Sequence, residues 1–394
     1  MKSCWAIKKL GEVCELIGGG TPSIHESSYY GGNIPWATVR DMNCRVIEKT
    51  ERTITRKGLE NSASNVIPAG NVIISTHVGL GKVCFVAQDT AINQDLKGVI
   101  PFADNIQKTF LYYWFLSIAD YLEKSGTGST VRGVKLDFVK SIELPVPPLP
   151  EQNRIVAKID AAFEKIDKLK VNAERNLANA KELFQSALDE AMRPKKGWVE
   201  KRLGEVCTEF GRGKSKHRPR NDKRLYGGPY PFIQTGDIRN AGHTIDKFTK
   251  TYSEFGLSQS KRWPKGTLCI TIAANIAETA ILGFDACFPD SVIGCVFDES
   301  QMHTGFAEYM LQNYKCHLQT LGKDRSSAQP NINLGTFEDN SFSVPAVDKQ
   351  RQIVKWLDAL AEKTKLLEQH YTRQIADCAE MRQSVLREAF EGRM

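Results

Sequence analysis

Short apolar runs rich in β-branched residues occur in two groups, one in each half of the chain. The runs are NVIIST from Asn71, KVCFVA from Lys82 and KGVIPF from Lys97, then TLCITI from Thr267, ETAILG from Glu278 and IGCVFD from Ile293. Glycine, proline or asparagine bounds them, which is typical of short β-strands. A helix-like stretch follows each group, at 109–124 and at 304–321. The pattern therefore predicts two mixed α+β domains.

Each half ends in a long segment whose apolar residues recur at steps of three and four, the pattern of a coiled-coil seam. The seam residues are Ile155, Ile159, Ile166, Leu169, Leu177 and Phe184 in the first segment and Ile353, Leu357, Leu360, Leu367 and Tyr371 in the second. A helix of roughly 40 residues is about 60 Å long and cannot bury such a stripe alone. We therefore expect two antiparallel helices that bury each other's stripes, with one domain at each end. An intermolecular coiled coil is the alternative.

The two halves are copies of one another. Trp5 corresponds to Trp198, and the peptide LGEVC at Leu10 recurs at Leu203, both at an offset of 193 residues. Further matches follow at offsets of 196 and then 198 residues, so only small insertions separate the copies. A repeat of this length is a whole domain with its connector rather than a solenoid unit.

The predicted fold class is α+β, with two tandem-duplicated mixed α/β domains joined by two long antiparallel coiled-coil helices. The predicted boundaries are a first domain over 1–149, a first spacer helix over 150–193, a second domain over 194–346 and a second spacer helix over 347–394.

The composition is that of an ordinary globular protein, with 41% hydrophobic and 25% charged residues in 394. The run FLYYWFLSIA from Phe110 is about half the length of a membrane span and is interpreted as a buried helix. The first residues lack the apolar core of a signal peptide, so we expect a cytoplasmic protein. The 10 cysteines include no C-x-x-C pair, which favours reduced, buried thiols and no metal site.

No motif predicts catalysis. The segment GRGKS from Gly211 ends like a phosphate-binding P-loop, but Thr208 stands where the first glycine is required. Pro219 also opposes the helix that should follow. We therefore expect no catalytic residue in this chain, and an ATP-dependent enzyme that uses GRGKS is the alternative from another class.

The copies diverge directly after the shared LGEVC peptide. In the first copy, GGGTPSIHESSYYGG is nearly uncharged, whereas residues 211–224 of the second carry seven Lys or Arg against one Asp, which is +6 of a formal net charge of +7. Basic residues neutralise DNA phosphates, and polar side chains read base edges. A second pair of polar loops, at 125–138 and 321–337, is rich in small residues that let the backbone approach phosphates. Solubilising loops and plain connectors are the alternatives.

These loops supply most of the predicted DNA-binding residues, and Arg40, Thr76, Lys82, Gln234 and Asn275 are predicted from outside them. In the first copy they are Thr21, Ser23, Arg40, Thr76, Lys82, Thr127, Ser129, Thr130 and Arg132. In the second copy they are Arg212, Lys214, Lys216, His217, Arg218, Arg220, Gln234, Asn275, Lys323, Arg325, Ser326, Ser327 and Gln329.

The chain resembles the specificity (S) subunit of type I restriction-modification systems over essentially its whole length. The resemblance rests on the opening WAIKKLGEVCELIGGGTPS with the later YYGGNIPW, on GSTVRGVKLDFVKSIELPVPPLPEQNRIVAKID, and on the second-copy equivalent that ends in SVPAVDKQRQIVKWLDAL. The run PLPEQNRIV before a long helix is a specific hallmark, which the second copy alters to PAVDKQRQIV.

The resemblance implies two target recognition domains that each read one half of a bipartite, asymmetric DNA site, with the spacer helices setting the gap. It implies a non-catalytic DNA-binding subunit that directs two methyltransferase (M) subunits and the restriction (R) subunits to that site. The M subunits would methylate adenine N6 with S-adenosylmethionine, and the R subunits would use ATP and Mg²⁺, so no cofactor or membrane partner is expected for this chain. A modification-only complex is one alternative. A structural coiled-coil scaffold is another, although a scaffold has no need of the basic loop.

Overall fold

The structure is a computed structural model that describes residues 5–128, 132–273, 276–324, 335 and 341–393. The chain forms two compact units. Unit 1 consists of Met1–Arg175 with Thr372–Met394, and unit 2 consists of Asn176–Tyr371. Each unit therefore contains one globular domain together with a part of each long helix.

The strands of unit 1 are β1 (Ala6–Lys9), β2 (Cys14–Gly18), β3 (Tyr30–Ala37), β4 (Val46–Ile47), β5 (Arg52–Ile54), β6 (Asn65–Ile67), β7 (Val72–Ser75), β8 (Val83–Val86), β9 (Thr90–Ile92), β10 (Leu96–Pro101) and β11 (Glu143–Val146). They form a five-stranded sheet in the order β2-β10-β7-β8-β4, a four-stranded sheet in the order β5-β3-β9-β6, and the pair β1-β11. The pairs β3-β9 and β4-β8 are parallel, and the others are antiparallel. The helices that begin in this unit are α1 (Leu10–Val13), α2 (Arg56–Glu60), α3 (Lys108–Ser117), α4 (Ala119–Ser125), α5 (Leu136–Ser141) and the long α6 (Leu149–Met192).

The strands of unit 2 are β12 (Val199–Arg202), β13 (Cys207–Arg212), β14 (Tyr226–Phe232), β15 (Thr244–Ile245), β16 (Lys250–Tyr252), β17 (Arg262–Trp263), β18 (Leu268–Thr271), β19 (Thr279–Leu282), β20 (Ala286–Cys287), β21 (Val292–Phe297) and β22 (Ser341–Val344). Its helices are α7 (Thr235–Asn240), α8 (Glu254–Ser258), α9 (Thr304–Asp324) and the start of the long α10 (Val347–Phe390).

The sheets of unit 2 repeat the topology of unit 1 strand for strand. The orders are β13-β21-β18-β19-β15, β16-β14-β20-β17 and β12-β22, and the parallel pairs are again the equivalent ones, β14-β20 and β15-β19. All six apolar runs identified in the sequence become strands, namely β7, β8, β10, β18, β19 and β21. The prediction of two duplicated mixed domains with long helices is confirmed.

The first helix-like stretch forms two helices rather than one, because α3 ends at Ser117 and α4 begins at Ala119. Six consecutive residues of α3, Phe110 to Phe115, are buried. A helix with apolar residues all around it needs neighbouring elements on every side. Strand β8 contacts α3, and the first turns of α6 lie in the same hydrophobic core. The interpretation of FLYYWFLSIA as a buried helix is confirmed.

Both long helices contribute to the core of each unit. In unit 1, Ile155, Ile159 and Ile166 of α6 are buried in one cluster with Leu386 and Ala389 near the end of α10. In unit 2 the order is reversed, since the core contains the last turns of α6 (Phe184, Leu188 and Met192) and the first turns of α10 (Ile353, Val354 and Leu357). Each unit therefore combines the start of one long helix with the end of the other.

The predicted seam is not buried along its whole length. Leu169 and Leu367 are 42% and 39% exposed, while Ala173 and Thr364 are buried. Leu177, Leu360 and Tyr371 are partly buried. A strict seven-residue repeat drifts around a straight α-helix by about 20° per heptad. Leu169 and Leu367 are therefore corrected from buried seam residues to largely exposed ones.

A buried glutamine joins each domain to its long helix. The side-chain oxygen of Gln152 accepts a hydrogen bond from the Gln107 N–H at 2.8 Å, and its amide donates to the carbonyls of Asn105 at 2.9 Å and Pro147 at 2.8 Å. Gln350 repeats this arrangement in unit 2, with its oxygen 2.8 Å from the backbone nitrogen of His303. Both side chains are fully buried, so this glutamine is a duplicated structural clamp.

Candidate nucleic-acid interface

Five loops of unit 1 lie together beyond the ends of its strands. Thr76 connects three of them, because its N–H donates to the Asp95 carbonyl at 2.8 Å and its carbonyl accepts from the Val134 N–H at 2.9 Å. The Gly20 N–H donates to the Ile92 carbonyl at 3.0 Å and brings in the glycine-rich loop. We call this surface the first loop face, and it consists of residues 19–23, 38–43, 76–82, 93–95, 127–128 and 132–134.

The first loop face brings together the predicted DNA-binding residues of the first copy that the structure describes. Those that are exposed are Thr21, Ser23, Arg40, Thr127 and Arg132. The Lys82 ammonium is half-buried and donates to Asn43 Oδ1 at 2.9 Å. Ser129 and Thr130 lie outside the described residues.

Thr76 is corrected from a DNA contact to a framework residue. Only 1% of it is exposed, and its hydroxyl donates to the Asp95 carbonyl at 3.2 Å. It directly follows β7, whose residues are all buried, and both of its backbone groups bind other loops. The residue therefore holds the face together.

The glycines of the divergent loops serve close backbone packing. A Cβ on Gly20 would lie 2.5 Å from the Ala63 carbonyl carbon, and the Gly20 carbonyl accepts from the Trp36 indole at 3.2 Å. Its counterpart Gly213 is equally confined, with a Cβ position 2.2 Å from the Phe288 carbonyl oxygen. Only glycine allows the backbone to approach this closely.

A small cleft with a volume of about 280 Å³ opens on the first loop face, and both charged and apolar side chains line it. Arg40 and Arg52 both line it, and neither forms an ion pair with a residue that the structure describes. The carboxylates of Asp41, Glu51 and Asp95 also line the cleft, and Asp41 accepts hydrogen bonds from Thr38 and from the Glu51 N–H. Two available guanidinium groups suit a phosphate or a base edge. Sequence reasoning found Arg40 but missed Arg52, which lies in no motif.

The corresponding surface of unit 2 is built around the basic segment. The Lys216 N–H donates to the Gln259 carbonyl at 3.1 Å, the Ser260 hydroxyl donates to the Lys214 carbonyl at 2.7 Å, and the Gly213 N–H donates to the Val292 carbonyl at 2.9 Å. We call this surface the second loop face, and it consists of residues 211–224, 234–240, 259–262 and 289–291.

The basic residues of the segment 211–224 divide into two groups. Arg218, Arg220 and Arg224 are paired with carboxylates: Arg220 lies 2.7 Å from Asp290, and Arg224 lies 2.7 Å from Asp222. The second group makes no ion pair within the part of the chain that the structure describes, and it consists of Arg212, Lys214, Lys216 and Lys223. All four are exposed and are free to meet phosphates.

The other residues of the second copy that were predicted to bind DNA lie outside the basic group or outside the described residues. His217 is 20% exposed at its side chain and binds Asp222. Gln234 is half-buried at the start of α7, where its N–H donates to Asp237 at 2.8 Å. Lys323 lies in α9. The remaining residues, which lie outside the described part of the chain, are Asn275, Arg325, Ser326, Ser327 and Gln329.

A buried ionisable pair lies in unit 2. His243 Nδ1 is 2.8 Å from Glu308, whose side chain is fully buried and also accepts from the Thr279 hydroxyl at 3.0 Å. Burial alone would lower the pKa of His243, but the hydrogen bond and charge of Glu308 raise it overall. The ring stacks on Tyr309, whose hydroxyl donates to Asp358 of α10 at 2.7 Å. The pair therefore supports the junction between domain and helix.

The described residues contain no group of three or more His, Cys, Asp or Glu side chains arranged to hold a metal ion. No helix among them is both long enough and apolar enough to cross a membrane.

A family model described as "Type I restriction modification DNA specificity domain" matches residues 2–176 and 195–375. The MjaIX type I restriction enzyme specificity subunit of Methanocaldococcus jannaschii is 29% identical over 253 residues, which are 58% of this chain and 57% of that protein. The EcoR124I/EcoR124II specificity subunit of Escherichia coli is 32% identical over 160 residues, 39% of each chain. The matched regions thus span little more than half, or less, of these relatives. The EcoKI specificity subunit of Escherichia coli K12 is 20% identical over 99% of this chain and 89% of its own length.

Two solved structures are similar to this chain over almost their whole length. A chain from a study of assembly and conformational transition of the type I R-M system has a TM-score of 0.79 at 21% identity, covering 99% of this chain and 98% of that one. The HsdS subunit from Thermoanaerobacter tengcongensis has a TM-score of 0.63 at 20% identity, covering 100% and 98%. At these identities the likeness concerns the fold.

Proposed function

The chain belongs to the family of type I restriction modification DNA specificity domains, and on that basis we propose that it binds a bipartite, asymmetric DNA site, with each loop face reading one half. The resemblance seen in the sequence is confirmed, as is the assignment to the specificity class rather than to the enzymes. What we propose beyond the family is the kind of DNA site that the chain recognises and the partner subunits that it directs to that site.

One observation carries the proposal: the two units share every strand connection but differ in the chemistry of their loop faces. The first face has a neutral glycine-rich loop and a cleft with two arginines, whereas the basic segment 211–224 of the second carries four exposed cations that form no ion pair with a described residue. A common framework with different polar surfaces is what two readers of different half-sites need. Two identical readers would favour a palindromic site instead.

The partners follow from the family. We infer that two methyltransferase subunits methylate adenine N6 at the site with S-adenosylmethionine, and that restriction subunits use ATP and Mg²⁺ there. The methyltransferase takes the target base out of the duplex, so the chemistry lies outside this chain. We infer that the complex acts in the cytoplasm.

The test is to co-express the chain with its partner methyltransferase and to map methylated adenines across the genome. We expect one motif of two different parts separated by a fixed gap. Arg40→Gln, on the first loop face, should change the sequence preference in one part only. A continuous motif, or methylation that persists without the chain, would refute the proposal.

A second test uses the salt dependence of DNA binding by the same complex. Lys214→Gln with Lys216→Gln should lower the slope of log affinity against log salt by about 1.8, because each phosphate contact contributes about 0.9. The control is Lys181→Gln with Lys196→Gln, which removes the same charge from exposed positions outside the face. Equal slopes for the two double variants would show that the basic segment does not meet the DNA.

A further inference from the structure

Asp222 is the one carboxylate in the basic segment 211–224, and it lies at the centre of a network. Its Oδ2 is 2.7 Å from His217 Nε2 and 2.7 Å from Arg224 Nη2, and its Oδ1 accepts from the Arg224 N–H at 2.9 Å. Only 15% of the Asp222 side chain is exposed, against 70% for Arg224. The hydrogen bonds from Arg224 and then His217 hold the pKa of Asp222 well below its usual range, so the group is an anion at any ordinary pH.

The network connects His217, near the middle of the segment, with Arg224 at its end. Phe255 completes it from α8, with the His217 ring edge-on at 5.2 Å and the Arg224 guanidinium 5.2 Å from the ring centroid. The Asp222 N–H also donates to the Pro219 carbonyl at 3.2 Å, and Asp222 caps the 3₁₀ turn Lys223–Leu225. These contacts therefore link the two ends of residues 217–224 to each other and to α8.

The first copy has the cap but not this network. Glu26, the counterpart of Asp222 at the offset of 196 residues, caps the 3₁₀ turn Ser27–Tyr29 and accepts from the Ser28 N–H and hydroxyl. It forms no ion pair within the part of the chain that the structure describes. The network thus occurs in the copy whose loop carries the excess of positive charge, where mutual repulsion would otherwise spread the loop.

We propose that Asp222 is a positioning residue for DNA binding, because it holds residues 217–224, which carry Lys223 and directly follow Lys214 and Lys216, in one conformation before DNA arrives. The inference rests on the proposed function. A loop that is already ordered loses less conformational entropy on binding, so its cations bind phosphates more tightly.

The proposal makes a prediction whose sign is opposite to that of simple electrostatics. Removing a negative charge from a DNA-binding surface strengthens binding if only the summed charge matters. Positioning predicts that Asp222→Asn, which has nearly the same shape, weakens binding by about 3- to 10-fold, the cost of ordering one or two side chains at the interface. The matched control is Asp246→Asn, which removes an exposed carboxylate of the same unit that has no ion pair among the described residues.

The experiment measures the affinity of the full chain, in complex with its methyltransferase partner, for a mixed-sequence DNA duplex at several salt concentrations. We expect Asp222→Asn to bind more weakly than the wild type, Asp222→Glu to recover part of the loss, and Asp246→Asn to bind as well as the wild type or better. Arg224→Lys keeps the charge but loses the two-point contact, so it too should bind more weakly. These variants change residues at the surface of unit 2. A melting temperature equal to that of the wild type will verify that each variant folds.

The possible results distinguish the proposed DNA-binding function from the positioning role of Asp222. If the wild-type complex fails to bind DNA, the proposed function is wrong. If the wild type binds and Asp222→Asn binds as tightly or more tightly, like Asp246→Asn, the positioning role alone is wrong and Asp222 merely lowers the local charge.

Discussion

Replacing the buried clamp residue Gln152 with methionine tests how the domain of unit 1 is fixed to its long helix. Methionine has nearly the same length and is apolar, so the change leaves three backbone groups without partners: the Gln107 N–H and the carbonyls of Asn105 and Pro147. Gln152 is fully buried, so water cannot replace it without a rearrangement. Each unsatisfied buried group costs about 1–3 kcal/mol. We therefore expect Gln152→Met to lower the free energy of unfolding by about 3–9 kcal/mol.

The assay is urea unfolding of the full chain followed by circular dichroism, with thermal melting as a second measure. For a unit of this size, a loss of about 3–9 kcal/mol corresponds to a fall in melting temperature of about 6–36 °C. Asn153→Met, at the exposed neighbouring position, is the control and should leave stability nearly unchanged. Gln350→Met should have the same effect in unit 2, since its contacts are the same. A loss below about 1 kcal/mol would refute the reasoning, because it would mean that the backbone groups had found other partners.

Three further predictions follow from packing and charge. Gly213→Ala should destabilise the chain by about 1–3 kcal/mol, because the new Cβ would overlap with backbone atoms. The control is Gly211→Ala, whose new Cβ has nothing within 4 Å. It should change stability by less than about 0.5 kcal/mol in the same melting assay. Since the pKa of His243 is raised in the folded state, its contribution to stability is present below the unfolded value of about 6.5 and is lost as pH rises through the folded value. The melting temperature of His243→Asn should therefore fall furthest below that of the wild type near pH 6 and approach it near pH 9, and a difference independent of pH would contradict this. Leu357→Ala in the buried stripe should cost about 2–5 kcal/mol, and Leu366→Ala, at a position 60% exposed, should be nearly silent in urea unfolding.

Much of the fold could be predicted because its signals are local or repeated. Strands such as Val72–Ser75 and Leu268–Thr271 are apolar runs bounded by turn residues, and a helix that buries one stripe repeats that stripe in its sequence. The order of the strands could not be predicted. In the five-stranded sheet, β2 pairs with β10, a strand about 80 residues later, and no local pattern encodes that partner.

The candidate interface was predictable as a region but not residue by residue. The basic segment after Gly211 stood out by charge alone, whereas Arg52 gave no signal because it begins strand β5 and most of the residues that share the cleft with it are distant in the sequence. Thr76 looked like an exposed polar residue of a loop, but its hydroxyl satisfies the carbonyl of Asp95, 19 residues away in the chain.

The sequence by itself determined the duplication, the mixed domains, the long helices and the excess of positive charge in one copy, because periodicity, composition and repetition can be seen along the chain. Only the tertiary structure decided which charges are free. In the sequence Asp222 subtracts one from the charge of the basic segment; in the fold it binds His217 and Arg224 and closes that segment. Asp290, 70 residues beyond Arg220, neutralises that arginine as well. The physical reason is that an ion pair depends on the distance between two groups in space, which folding sets and the chain order does not.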